Sequence, residues 1–200
     1  SSASLEVLAG FLIKSSYGID IDKIDIVKDA KYVENKYIGV NCGIMDQFSI
    51  GMAKENHAIY LNTETLDYEQ VPLKLGDYRL IIANSNVKRA LADSKYNERV
   101  KECQEAKDII NQHGFHINAL CDMNEDDLNK VLPWLKETLQ KRVKHAVLEN
   151  ERTVQAVSLL RQGDFKSFGK SLYASHVSLR DLYEVSCFEL DTLVEAFMDA

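Results

Sequence analysis

Three stretches of this 200-residue chain hold residue types whose spacing could do chemistry. The first is Ser1-Ser2-Ala3-Ser4, directly ahead of an apolar-periodic run. Free backbone N–H groups and the dipole at a helix start attract phosphate, and small hydroxyl side chains let it come close. A serine hydroxyl there could also ligate Mg²⁺, as the P-loop Ser/Thr does. The same serines could equally do no more than cap the helix. The second stretch is GVNCGIMDQFS (39–49). Its two glycines permit unusual backbone angles or a close approach by ligand. Asp46 follows on a turn, where it is a candidate general base or a plain helix cap. Glu34, twelve residues earlier, reads alone as a solvated carboxylate. The third is NSNVKRALADSKYNER (84–99), where Tyr96 in a first helical turn could reach a cleft or serve as a half-buried anchor. His57, His113, His116, His145 and His176 show no ligand or triad spacing and read as structural. Cys42, Cys103, Cys121 and Cys187 show no CxxC pair and read as free thiols of a reducing compartment.

The elements that position these residues follow from periodicity. Leu5, Leu8, Phe11 and Leu12 space a helix over 4–14. Asp20 or Asp22 can cap a second one with Ile24, Val27, Ala30, Val33 and Tyr37 on one face. IMDQFSIGMAKEN reads as a short helix. Residues 57–61 and 66–73 alternate as strands joined by the turn-like NTET. YRLIIA (78–83) has the continuous apolar composition of a buried strand. Beyond Ser94, a plausible N-cap, the chain is helical again. Val100, Cys103, Ala106 and Ile110 make a stripe, NEDDLNKV a short acidic helix, and 135–161 the longest helix, with Val154 and Val157 among its inward residues. Helices, then strands, then helices indicate an α+β protein rather than a wound α/β sheet.

Composition narrows the classes. The net charge of −7 excludes a general nucleic-acid binder. With 46% hydrophobic and 28% charged residues the chain is a globular, cytosolic type. No apolar stretch reaches the roughly 18–20 residues of a membrane span. The run of helix at both ends reads as a piece of a longer protein. Residue types and spacing thus reach a soluble domain with a possible phosphate corner.

Whole motifs go further. SSASLE (1–6) resembles the tail of the Ser-rich phosphate motif of the GHMP small-molecule kinases, in its galactokinase form. CGIMDQF (42–48) is similar to the catalytic-acid segment of the galactokinases. NSNV (84–87), SKYNER (94–99), RVKHAVLENERT (142–153) and SHVSLRDLYEVSCFELD (175–191) follow in the family's order. The resemblance implies the two-domain GHMP fold, its N-terminal domain like ribosomal protein S5 domain 2. It places 1–50 at the end of that domain and 51–200 in the C-terminal one. It implies transfer of the ATP γ-phosphate to the C1 hydroxyl of α-D-galactose, the entry to galactose catabolism, in the cytoplasm and with Mg²⁺. By the same resemblance Asp46 is the base. Ser2 and Glu34 are magnesium ligands, Ser1 and Ser2 belong to the ATP-phosphate loop, and Gly43 and Tyr96 contact the sugar. The family's first motif, with its transition-state arginine and Glu-His-x-Asp cluster, is not among these residues, nor is the Gly-rich third motif. The piece alone is therefore expected to be inactive and to lack partner strands for its sheet. Two relatives of the same fold stay open, a kinase for N-acetylgalactosamine and a galactose- and ATP-binding transcriptional sensor.

Overall fold

Ala3, Val7 and Gly10 recur along one side of helix α1 (Ser2–Tyr17), and their small size decides how the N-terminal unit packs. The computed structural model describes residues 2–39, 42–87 and 92–199. Within these the chain separates into two compact units, Ser1–Lys74 and Leu75–Ala200.

In the first unit α1 lies against α2 (Lys23–Val33) and α3 (Met45–Met52). The spacing predicted Leu5, Leu8 and Leu12 as the inward stripe, but all three are exposed and Ala3 and Val7 are buried. Periodicity finds the bulkiest apolar face, whereas close helix packing selects the smallest one. A Cβ added at Gly10 would stand 2.5 Å from Ile26 Cγ2, and one at Gly51 would stand 2.4 Å from Val27 Cγ2. On α2 the buried residues are Ile26, Val27 and Ala30, while Val33 and Tyr37 are exposed. Asp22 is the N-cap of α2 by position, without a side-chain capping bond.

Strands β1 (His57–Leu61) and β2 (Tyr68–Pro72) pair antiparallel, from His57 opposite Pro72 to Leu61 opposite Tyr68. Asn62 Oδ1 accepts the N–H groups of Glu64 and Thr65, which closes the NTET turn. Val27, Ile44 and Phe48 form the core, and Ile59, Leu61 and Leu66 of the hairpin pack on it. Phe48 meets Tyr68 edge to face at 5.2 Å. This packing puts the hairpin in the same compact unit as α1 to α3.

The crowded glycine gives a paired expectation. Gly51→Ala forces the added methyl against buried Val27 and should cost about 1–3 kcal/mol, the range for overpacking a core. Gly169→Ala, in a helix with open space at its Cβ, should be neutral or stabilise by up to about 1 kcal/mol. Urea unfolding of both variants checks the contrast.

In the second unit YRLIIA forms no strand. Residues 78–83 carry no regular secondary structure and no ladder partners, and Leu80, Ile81 and Ile82 are exposed. A buried strand needs neighbours on both edges, and no described residue supplies them. Helix α4 (Ala92–Gln112) begins before Ser94, so Ser94 lies inside the helix rather than at its cap, and Tyr96 lies beyond the first turn. The short acidic helix α5 (Glu125–Val131) is closed by a capping box, with Asn124 accepting the Asp127 N–H at 3.1 Å. Helix α6 (Glu137–Gln162) is the spine of the unit. Its Leu139, Val143 and Val147 pack with Ala106 and Ile110 of α4, Leu128 and Val131 of α5, and Leu135 ahead of α6. Val154, expected inward, is exposed. Helices α7 (Phe165–Ser178) and α8 (Phe188–Met198) complete the chain. His145 on α6 is a structural histidine: Nδ1 lies 2.8 Å from Ser178 Oγ and the ring stacks on Tyr183 at 4.3 Å. Burial holds its imidazole below the usual histidine range. All four cysteines are free.

Candidate functional site

Helix α2 does not end at Val33 but widens into a π-helical turn, Glu34–Ile38. Such turns re-aim side chains and are frequent at functional sites. Gly39 closes it with φ of 82°, donating its N–H to Glu34 O at 3.0 Å. That left-handed angle explains the first of the two glycines in 39–43. Gly43 has no such angle, and nothing stands within 4 Å of where its Cβ would be.

The re-aimed Glu34 carboxylate gathers a small polar cluster. Ser2 Oγ, at the N-terminal turn of α1, donates to Glu34 Oε1 at 2.8 Å. Gln47 Nε2, on α3, donates to Glu34 Oε2 at 2.6 Å and reaches toward Glu6 Oε2 at 3.4 Å. Three helices thus converge on one carboxylate. Burial, with the negative charge of Glu34 adding to it, pushes the Glu6 carboxyl up against the opposing Gln47 hydrogen bond. Burial and Glu34 also push the Cys42 thiol up, so Cys42 is not an activated nucleophile.

Asn35 ties this turn to the next loop. Its Oδ1 accepts the Cys42 N–H at 3.1 Å and its Nδ2 reaches the Cys42 carbonyl at 3.5 Å. Gly43 is thereby held one residue beyond a fixed peptide. Ile44 is buried and its carbonyl accepts the Phe48 N–H at 2.9 Å, which starts α3. Ile44 being the N-cap, Asp46 is not a capping residue. It sits exposed in the first turn of α3, immediately before the buried Gln47.

The structure therefore brings Ser2 and Glu34 into direct contact and places Gly43 and Asp46 on the segment that Gln47 and Asn35 anchor to them. Ser1 lies outside the described residues, as does the side chain of Tyr96. Gln47, Glu6 and Asn35 are absent from the sequence-based site. Gln47 carried a usable signal: with Phe48 and Gly51 it forms the buried face of α3, and a polar residue on such a face needs a partner.

The donor set is hard oxygen. Ser2 Oγ and Glu34 Oε1 stand 2.8 Å apart as a hydrogen-bonded pair of hard oxygens, the donor type that Mg²⁺ takes. No group of three or more His, Cys, Asp or Glu residues suited to a metal occurs among the described residues. A cation that keeps several waters needs no more than one or two protein oxygens.

Residues 1–54 match the GHMP kinases N terminal domain. The chain is 47% identical to a galactokinase of Limosilactobacillus reuteri over 98% of its own length and 50% of that protein. It is 50% identical to a galactokinase of Clostridium beijerinckii over 97% of its length and 50% of that protein. The crystal structure of Lactococcus lactis galactokinase complexed with galactose superimposes with a TM-score of 0.95 at 42% identity, over 100% of this chain and 52% of that one. The chain spans about half the length of the relatives it matches.

Proposed function

This chain belongs to the GHMP kinase family, and from that premise we propose that the protein containing it is a galactokinase. It moves the γ-phosphoryl group of ATP to the C1 hydroxyl of α-D-galactose, giving ADP and galactose 1-phosphate. The observation that carries this reading is the Ser2–Glu34 pair at 2.8 Å, tied through Gln47 to the helix that presents Asp46. Phosphoryl transfer asks a protein chiefly for positioning and charge stabilisation, so a phosphate corner, a cation corner and one carboxylate make up much of a site.

Each residue then has a defined task. The O1–Pγ bond forms as the bond from Pγ to the ADP oxygen breaks, and Asp46 takes the proton that O1 loses. Ser1 and Ser2, with the positive end of the α1 dipole, hold the nucleotide phosphates. Ser2 Oγ and Glu34 would hold Mg²⁺, which supplies neutralisation of the phosphate charge that builds up during transfer. Gly43 meets the sugar with its backbone, where no side chain obstructs, and Tyr96 hydrogen-bonds a sugar hydroxyl. The family match ending at residue 54 supports reading 1–50 as the close of the N-terminal GHMP domain, while the hairpin packed on Phe48 carries that compact unit on to Lys74 and favours starting the C-terminal domain near Leu75 rather than at 51. Free thiols and an ATP-dependent reaction support a cytoplasmic location. No described helix is long and apolar enough to cross a membrane.

The full-length protein, given Mg-ATP and a panel of galactose, N-acetylgalactosamine, glucose and mevalonate, is expected to release ADP with galactose. Turnover on N-acetylgalactosamine instead would reassign the substrate. Galactose binding without ADP release would make the protein a sugar sensor.

A further inference from the structure

Gln47 is buried to 1% exposure among charged groups and belongs to no role assigned above. Its amide can be oriented from its surroundings. Carboxylate oxygens of Glu34 and Glu6 face one end, and an amide oxygen there would meet only acceptors, so Nε2 must point at them. The Oε1 atom then has no partner among the described residues, and neither does Glu6 Oε1. What the amide gains is control of Glu34. With Gln47 on Oε2 and Ser2 on Oε1, both ends of the carboxylate plane are fixed. Without the amide, Glu34 Oε2 would lose its 2.6 Å donor, and the carboxylate would be free to turn out of register with Ser2.

We infer that Gln47 is a positioning residue that locks the Glu34 carboxylate beside Ser2 in the orientation that receives the divalent cation. The inference rests on the role proposed for Glu34. It makes Gln47 part of cation affinity rather than of sugar recognition, although it neighbours Asp46 in the chain.

The test uses the full-length protein, with Mn²⁺ as a paramagnetic probe titrated in the presence of a non-hydrolysable ATP analogue. Gln47→Met keeps the volume and removes the donor. It should weaken Mn²⁺ binding about 10-fold, the lower end for a lost partner of a metal ligand, with galactose binding unchanged by calorimetry. In a Glu34→Ala background the same substitution should have no further effect. If Gln47→Met does not fold, Gln47→Asn retains the amide but shortens its reach and should lower Mn²⁺ affinity in the same direction. Wild-type Mn²⁺ affinity in either folded variant overturns the inference, as does an undiminished effect in the Glu34→Ala background. Loss of Mn²⁺ affinity in a protein that fails to phosphorylate galactose would support the role of Gln47 while removing the galactokinase reading.

Discussion

Asp46→Asn in the full-length protein is expected to lower kcat with galactose by about 10²–10⁴-fold, the usual contribution of a positioned general base. The amide has nearly the size of the carboxylate and keeps one acceptor, but it cannot take the O1 proton at neutral pH. Asp46 is exposed in the first turn of α3 and caps nothing, so the fold has little reason to suffer. Galactose KM should rise modestly, because an amide still offers a hydrogen bond to the sugar hydroxyl. Mn²⁺ affinity should stay at the wild-type value, since the bonds that shape the cation corner come from Ser2 and Gln47. That pattern, a lost kcat with preserved cation binding, is the converse of the one expected for Gln47→Met. Steady-state ADP release beside a Mn²⁺ titration reads both. Near-normal turnover in Asp46→Asn would remove this carboxylate from the mechanism.

How far these arrangements could be read from residues alone depended on how local their causes were. The NTET turn and its two strands were legible, because Asn62 builds the turn from within its own four residues. The short helix at Asp46 was legible for the same reason. The inward face of α1 was not, because Ala3 and Gly10 are chosen by the distance to α2, which periodicity does not encode. YRLIIA has the composition of a buried strand, yet composition states what a segment needs rather than what stands beside it. The Ser2–Glu34 contact joins residues 32 apart in sequence through a π-helical turn. Only the family resemblance pointed to that pair. Gln47 stands beside Asp46, but the carboxylates that explain it lie 13 and 41 residues earlier, beyond what local spacing encodes. Arg142 gives no local sign of its role, because its carboxylate partners Glu102 and Glu184 lie 40 and 42 residues away.

Arg142 carries the second large expectation. Its side chain is 1% exposed on α6, and it donates from Nε to Glu102 Oε2 at 2.6 Å and from a terminal nitrogen to Glu184 Oε2 at 2.7 Å. A third bond, at 2.5 Å, goes to the Leu182 carbonyl. Glu102 also pairs with Arg99, and Lys141 reaches Glu184 at 3.0 Å. One guanidinium therefore fastens α4, α6 and the π-helical turn Leu179–Tyr183. Arg142→Met keeps much of the volume and removes the charge, leaving the Leu182 carbonyl without this donor and Glu102 with Arg99 as its remaining cation. Breaking one side of a buried ion pair costs about 3–5 kcal/mol. The lower figure is expected here, because Glu184 is 44% exposed and can hydrate, while Glu102 retains Arg99. Urea unfolding of the full-length protein should show the loss as a lowered midpoint. The pH dependence adds a second readout. Hydrogen bonds from Arg142 first and Lys141 next hold the Glu184 carboxyl down at about 2, against 4.5 ordinarily. A depressed carboxyl contributes stability that is whole above about pH 4.5 and drains away as the pH falls toward 2. Arg142→Met removes the larger cause, so its acid limb should be flatter than that of the wild type across this window. An unchanged midpoint together with an unchanged acid limb would mean that the network adds nothing to the fold.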